Sequence, residues 1–112
     1  MLKKFNVFYT FIQIKDATGL FLSETESHIS VFRITSKYEK KSAYIKLQYY
    51  EIEGWESAGL KQKSWIDVGT EIILDKTELG NMTIWGSLAT KDIVGMDNFI
   101  KTLAHRRKNF SS

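Results

Sequence analysis

The chain has 112 residues, with 16 Lys and Arg against 13 Asp and Glu, and a formal net charge of +3. This length fits one domain, residues 1–112, that can bury a core, and a charged fraction of 26% is ordinary for a globular protein. Because the sequence has no cysteine and only two histidines, it excludes disulfides, thiol catalysis and cysteine-based metal sites, and we predict no metal and no cofactor.

The N-terminal stretch predicts a strand. Within Phe5–Ile14, Phe5, Val7, Tyr9 and Phe11 alternate with Asn6, Phe8, Thr10 and Ile12, a period-two pattern rich in aromatic and β-branched residues that is typical of a strand. Polar residues interrupt this stretch and no small-residue cleavage site follows it, which argues against a signal peptide. No run of about 18 apolar residues exists to span a membrane. We therefore expect a cytoplasmic protein, with a turn at Lys15–Gly19 after the strand.

More strands are predicted along the next two-thirds of the chain, separated by polar and glycine-containing connections. The predicted strands are Leu20–Leu22, His28–Thr35, Ala43–Ile52, Ser64–Val68, Glu71–Leu74 and Asn81–Gly86. The predicted connections are a polar loop at Ser23–Ser27, a basic loop at Ser36–Ser42, a short helical turn at Gly54–Leu60 and a turn at Gly69.

The C-terminal part predicts an amphipathic helix. Ile93, Met96, Ile100 and Leu103 follow helical spacing, with Thr90 as the expected N-cap. We place the helix at about 90–105 and a basic tail at 106–112. About six strands at 3–87 with one helix predict a mainly β fold, a small barrel or strongly bent sheet that the helix caps.

One segment stands out for binding chemistry. The predicted strand ends in the hydroxyls of Thr35 and Ser36 and enters a loop that contains Lys37, Tyr38, Lys40 and Lys41. Hydroxyls beside cations can hold a phosphate, and a tyrosine ring can stack on a base. An ordinary structural role is open as well, since threonine favours strands, serine favours turns and lysine favours exposed loops.

This segment also carries a resemblance. The order of features resembles the MazF/PemK family of toxin endoribonucleases from type II toxin–antitoxin modules. The similar stretches are VFRITSKYEKKSAYIKLQYYEI at Val31–Ile52, then Gly59–Val68 with the tryptophan of SWIDV, then Ile73–Lys76 followed by Leu79. The resemblance covers roughly residues 29–104, and the shared order and spacing carry it.

The resemblance implies an SH3-like barrel, a homodimer, an antitoxin partner and metal-independent cleavage of single-stranded RNA. In the family a Thr or Ser after the strand and an arginine stabilise the transition state. Thr35 matches the hydroxyl position. The family's Arg-Pro element has no counterpart, because the chain contains no proline. Arg33 is the candidate for the arginine's role, and Lys15 and Thr70 are further candidates for RNA contacts.

Two other hypotheses stay open. The missing Arg-Pro element favours a non-catalytic barrel that binds nucleic acid or a protein partner. The cations at Arg106–Lys108 would alternatively make the C-terminal tail the nucleic-acid contact, with the barrel as its scaffold.

Overall fold

The computed structural model describes residues 9–14, 16–80 and 82–111, with side chains described through residue 106. It is mainly β, with six antiparallel strands in one sheet and a C-terminal helix, which confirms the predicted fold class. The strands are β1 (Thr10–Ile14), β2 (Ala17–Glu24), β3 (His28–Thr35), β4 (Tyr49–Glu51), β5 (Trp65–Asp75) and β6 (Met82–Ser87). The helices are α1 (Ala43–Lys46) and α2 (Thr90–Ser111), with a 3₁₀ turn at Lys76–Glu78. The strand order across the sheet is β4-β5-β3-β2-β1-β6.

Both faces of the sheet bury apolar side chains. Phe11 of β1 and Leu20 of β2 belong to the larger cluster, whereas their chain neighbours Ile12 and Phe21 belong to a second cluster. Successive residues of a strand point to opposite faces of the sheet, which is the period-two pattern seen in the sequence. The predicted helical stripe packs on the larger cluster, with Met96 buried and its other members partly buried, so α2 covers that face.

The prediction of one strand over Ala43–Ile52 was wrong. Its first residues form α1, which Ser42 caps by accepting a hydrogen bond from the Ile45 N–H at 3.2 Å. Only Tyr49–Glu51 pairs with β5. No residue of α1 is buried. Alternation therefore predicted a strand where a serine cap favours a helical turn instead.

The predicted turn at Gly69 was also wrong, because β5 is one continuous strand. In the pairing of β5 with β3, Phe32 lies opposite Glu71, but the next residue, Arg33, lies opposite Asp67. The three residues of β5 between Asp67 and Glu71 therefore form a β-bulge. Gly69 lies within this bulge, where a Cβ would come within 2.2 Å of the terminal amide of the flexible Gln48 side chain, which would have to move aside. The bulge bends β5 without ending it.

Three element boundaries also differ from the predictions. β2 begins at Ala17, so most of the predicted turn at Lys15–Gly19 is strand. α2 begins at Thr90, and the carbonyl of Ala89 accepts the first hydrogen bonds of the helix, which puts the N-cap at Ala89. The helix continues to Ser111, beyond the predicted end. Residues 5–8 of the predicted first strand lie outside the described residues.

Asp92 links α2 to β4 and to the segment that follows β4 by hydrogen bonds. Its carboxylate is fully buried and accepts hydrogen bonds from the Tyr50 hydroxyl (2.7 Å) and from the backbone N–H groups of Glu53 (2.9 Å) and Gly54 (2.8 Å). A buried carboxylate is tolerated where donors satisfy it in this way. Burial, followed by the hydrogen bond to Asp92, raises the pKa of Tyr50 far above its ordinary value. The contact fixes where the segment after β4 starts.

Candidate nucleic-acid interface

Thr35 and Ser36 line an open cleft of about 420 Å³ at the end of β3, which we call the Thr35 cavity. Besides the end of β3, three other parts of the chain line it: the β1–β2 hairpin, the segment before β5, and β6. The lining residues are Gln13, Thr18, Ile34, Thr35, Ser36, Gly59, Leu60, Lys61, Gln62, Ser64 and Trp85. The lining therefore combines hydroxyl and amide groups with apolar side chains.

The hydroxyl of Thr35 is oriented by the start of the following loop. Its Oγ1 accepts a hydrogen bond from the Lys37 N–H at 3.0 Å, the short-range pattern that threonine forms at turns. A hydroxyl that accepts from the backbone keeps its own proton for another acceptor. Thr35 is half-buried and Ser36 is exposed, so both hydroxyls can donate to a ligand in the cavity.

The facing wall comes from the segment between β4 and β5. Hydrogen bonds from Ala58 N–H to the Gly54 carbonyl (3.0 Å) and from Leu60 N–H to the Trp55 carbonyl (3.0 Å) fold it into successive turns, consistent with the helical turn predicted there. This segment packs closely on β6, because a Cβ at Gly86 would lie 2.5 Å from the Ala58 carbonyl oxygen. Glycine at this position thus brings the wall against the sheet.

Trp85 supplies an aromatic side to the Thr35 cavity. The residue is 37% exposed, and its ring centre lies 5.2 Å from that of Phe11 with the planes tilted by 45°. Phe11 is fully buried, so it fixes one side of the indole while the other part remains accessible. An indole held in this way can stack on a planar ligand.

The charge of the Thr35 cavity is positive. Among the described residues that line it, Lys61 is the charged one, and none is Asp, Glu or His. Gln13 lies on the opposite side and accepts a hydrogen bond from the Thr18 hydroxyl at 2.9 Å. The site thus offers hydroxyl donors, amides and one cation, a set that suits an anionic ligand with polar edges.

Arg33 lies elsewhere. It lines another pocket, of about 170 Å³, together with Val31, Ile72 and Leu74, and Thr18 is the lining residue that this pocket shares with the Thr35 cavity. In the strand register, Arg33 of β3 lies opposite Asp67 of β5. Tyr49 of β4 lies opposite the same residue on the other side of β5. Burial, followed by the nearby charge of Asp67, raises the pKa of the Tyr49 hydroxyl, and the charge of Arg33 acts in the opposite direction. Arg33 and Thr35 therefore do not line the same cavity.

The ring of Tyr38 stacks on another aromatic ring of the protein. It stacks on Trp65 with ring centres 4.5 Å apart and planes 8° from parallel, and we call this pair the aromatic stack. Lys46 Nζ lies 4.8 Å from the Tyr38 ring centre, and Lys63 Nζ lies 5.7 Å from that of Trp65. Lys63 also forms an ion pair with Glu51 at 3.2 Å. In this structure Tyr38 thus anchors the basic loop to β5.

The remaining predicted RNA contacts are dispersed. Lys37, Lys40 and Lys41 are exposed on the loop after β3, and none of them lines the Thr35 cavity. Thr70 is exposed on the β5 bulge. Lys15 lies outside the described residues.

Lys61 and Trp85, together with Gln13 and Gln62, were missed by the sequence reasoning. They reach the Thr35 cavity from other parts of the chain, so no local pattern links them to Thr35. Trp85 carried only a weak signal, because tryptophan is large and seldom fully buried.

Comparison with known proteins adds no relative: no family model, no curated protein and no solved structure matches this chain. Over the residues that the structure describes, no group of three or more His, Asp or Glu side chains could hold a metal ion. Within the same ranges, no helix combines the length and the apolar character that a membrane span requires.

Proposed function

We propose that this protein binds single-stranded RNA in the Thr35 cavity. The observation that carries the proposal is the convergence of the hydroxyls of Thr35 and Ser36, the cation Lys61 and the half-exposed ring of Trp85 around one open cleft of about 420 Å³. The positive net charge of +3 supports it, since a cationic protein attracts a phosphate chain at long range.

Each group has a defined role in this proposal. The hydroxyls of Thr35 and Ser36 donate to a phosphoryl oxygen, and Lys61 adds charge to the same phosphate. Trp85 stacks on an unpaired base, as aromatic side chains do in proteins that bind single strands. The amide of Gln62 can donate to or accept from a base edge.

A titration with labelled, unstructured RNA tests the binding proposal. We expect binding that weakens as salt rises, since released counterions drive the association. Thr35→Ala with Ser36→Ala should weaken binding, whereas replacement of exposed Thr77 by alanine, outside the cavity, is the matched control. No measurable binding at low salt would reject the proposal and leave a protein partner as the alternative.

Cleavage of that RNA, as in the MazF/PemK family, is the second candidate function. It is favoured by the presence of two hydroxyls and a cation in one cavity, because the 2′-hydroxyl attack on the adjacent phosphate needs stabilisation of the phosphoryl oxygens. Lys61 would then serve in place of the family's arginine. Binding has more support than cleavage, because the described lining residues include no Asp, Glu or His to act as a general base.

The cleavage proposal has its own experiment. Long unstructured RNA is incubated with the protein in chelator, and new 5′ and 3′ ends are mapped. Cyclic phosphate ends that disappear with Thr35→Ala and Lys61→Ala would establish the enzyme. Intact RNA in the presence of demonstrated binding would leave a non-catalytic RNA-binding protein. The antitoxin partner, the homodimer and the cytoplasmic location stay predictions.

A further inference from the structure

β6 contains a bulge at Trp85. In the pairing of β1 with β6, Phe11 lies opposite Gly86, but the next residue of β1, Ile12, lies opposite Ile84. Trp85 is therefore an extra residue that has no partner in β1, and we call this irregularity the β6 bulge. A bulge redirects the side chain of the extra residue, and bulges are over-represented next to functional sites.

The β6 bulge decides on which side of the sheet Trp85 lies. Phe11 belongs to the larger cluster and Ile12 to the second cluster, on the other face. Gly86 is directed to the Phe11 face, because a Cβ there would lie 3.1 Å from a ring carbon of Phe11. Trp85 lies on the same face, since its ring centre is 5.2 Å from that of Phe11. Regular alternation would place neighbouring residues on opposite faces, so the bulge brings the indole to the Thr35 cavity.

Glycine at position 86 leaves room for the cavity wall beside the indole. A Cβ at Gly86 would lie 2.5 Å from the carbonyl oxygen of Ala58. This oxygen belongs to the backbone of the wall, so it cannot turn aside as the end of a flexible side chain can. A residue other than glycine at this position would therefore push the wall and β6 apart.

The wall that Gly86 admits lies next to the indole. Gly59 of the wall and Trp85 both line the Thr35 cavity. A Cβ at Gly59 would lie 3.6 Å from Cζ3 of Trp85, which is ordinary van der Waals contact. Because glycine has no Cβ, no side chain of residue 59 covers this part of the six-membered ring. Gly86 thus sets the spacing between the wall and a ring that the wall leaves uncovered.

The bulge in β5 provides a comparison. Gly69 lies within it, but a Cβ there would meet the terminal amide of the flexible Gln48 side chain, which can move aside. Gly69 does not line the Thr35 cavity. Two glycines in two bulges therefore differ in their neighbours, and only the neighbour of Gly86 is the backbone of the cavity wall.

We propose that Gly86 and the β6 bulge position Trp85 against the cavity wall so that an unpaired base can stack on the indole. This inference rests on the proposed function, because the role that it assigns is a role in RNA binding. Gly86 is a positioning residue. It acts through the spacing between Trp85 and residues 58–59 of the wall, without contact with RNA.

Nuclear Overhauser contacts in the full-length free protein test the positioning without RNA. In the wild-type protein we expect a contact between ring protons of Trp85 and the α-protons of Gly59. Gly86→Ala should lose this contact and keep the one within the aromatic stack. Gly69→Ala, the matched change in the other bulge, should keep both. A Trp85–Gly59 contact that persists unchanged in Gly86→Ala would overturn the proposal.

Anisotropy titrations with one labelled, unstructured RNA test the consequence for binding. Gly86→Ala should weaken binding about tenfold, the loss of one base stack, whereas Gly69→Ala should stay within about twofold of wild type. Because Gly86 acts through Trp85, adding Gly86→Ala to Trp85→Ala should weaken binding by less than about twofold more. Losses that multiply in the double variant would overturn the proposal, since Gly86 would then act independently of Trp85.

A second variant serves if Gly86→Ala does not fold, which far-UV circular dichroism would show. Phe11→Leu removes the ring that supports the indole on another side. It should weaken RNA binding in the wild-type background but not in the Trp85→Ala background, and equal losses in both would overturn the proposal. A wild-type protein that binds no RNA at low salt would reject the proposed function together with this inference. RNA binding that Gly86→Ala leaves unchanged would reject this inference alone.

Discussion

Two regions of this molecule, the aromatic stack and the Thr35 cavity, both contain a tryptophan and a lysine but arrange them differently. In the aromatic stack, Tyr38 covers Trp65, and Lys46 and Lys63 lie over the rings. In the Thr35 cavity, the ring of Trp85 and the cation Lys61 face an open cleft. Aromatic rings and lysines are the usual elements of an RNA-binding surface, yet in the first region the two rings stack on each other, whereas in the second the ring and the cation border an open cleft.

The difference teaches that residue type alone does not identify a binding site. The aromatic stack holds the basic loop on β5, and Trp65 is only 7% exposed there. Its contribution is to stability. The Thr35 cavity contributes little packing but has groups arranged around free space. Mutations can separate the two roles, because stability should respond in one region and RNA affinity in the other.

Replacement of the buried tryptophan should have the largest effect. Trp65→Ala removes a ring that is buried and stacked on Tyr38, and we expect a loss of about 4 kcal/mol in the free energy of unfolding. Trp85→Ala, the matched change in the cavity, should cost less than half as much because the ring is 37% exposed. Urea denaturation measures both, and equal losses would contradict the distinction.

Removal of the Asp92 carboxylate should come next. Asp92→Ala leaves the Tyr50 hydroxyl and two backbone N–H groups without their acceptor, which should cost about 3 kcal/mol of unfolding free energy. It should also weaken RNA binding, since the segment that starts at Glu53 continues into the cavity wall. Asp92→Asn is the control of similar shape and should lose less. An unchanged RNA affinity in a folded Asp92→Ala protein would show that the cavity wall does not depend on this contact.

Replacement of one aromatic ring in each region should show which region contacts RNA. Trp85→Ala should weaken RNA binding by about tenfold, the loss of one base stack. Tyr38→Ala should leave RNA affinity within about twofold of wild type, although it lowers stability through the lost contact with Trp65. Anisotropy titrations with one labelled RNA measure both. The reverse pattern would place the base on the aromatic stack.

Single lysine replacements should have a smaller and more specific effect. Lys61→Ala should reduce the slope of log affinity against log salt by about 1, because one phosphate contact is lost. Lys46→Ala, which removes the cation beside Tyr38, should leave the slope unchanged. Titrations at several salt concentrations give the slope. Equal reductions in both variants would mean that the phosphate chain follows the whole basic surface.

A change of pH should have the smallest effect. The described residues that line the Thr35 cavity include no Asp, Glu or His, so no lining side chain has an ordinary pKa between about 5 and 9. RNA affinity should therefore vary less than about twofold between pH 6 and 8.5, where side chains of these types do not titrate. A steep dependence would indicate a titrating group in the site.

The fold was predictable where one periodicity was clear. Alternation along β3 and the stripe of Met96 and Ile100 on α2 identified both elements, because each pattern fits one structure only. Ala43–Ile52 failed because the Ser42 cap turns the chain into α1 before β4 begins. The turn predicted at Gly69 failed because this glycine lies in the β5 bulge opposite β3, and a bulge depends on strand pairing that local sequence does not reveal.

The candidate site was predictable only in part. Thr35 and Ser36 were found because they are adjacent at the end of one strand. Lys61 and Trp85 reach the same cavity through the packing of the wall on β6, which the sequence does not show. Tyr38 was predicted to stack, and it does, but on Trp65 within the protein.

The most direct test of the RNA-binding proposal uses the three tryptophans as separate reporters. The indole N–H signals of Trp55, Trp65 and Trp85 are assigned by replacing each residue in turn, and unstructured single-stranded RNA is added to the wild-type protein. We expect the Trp85 signal to shift and saturate with RNA while the Trp65 signal stays in place. A shift of the Trp65 signal with an unchanged Trp85 signal would contradict it.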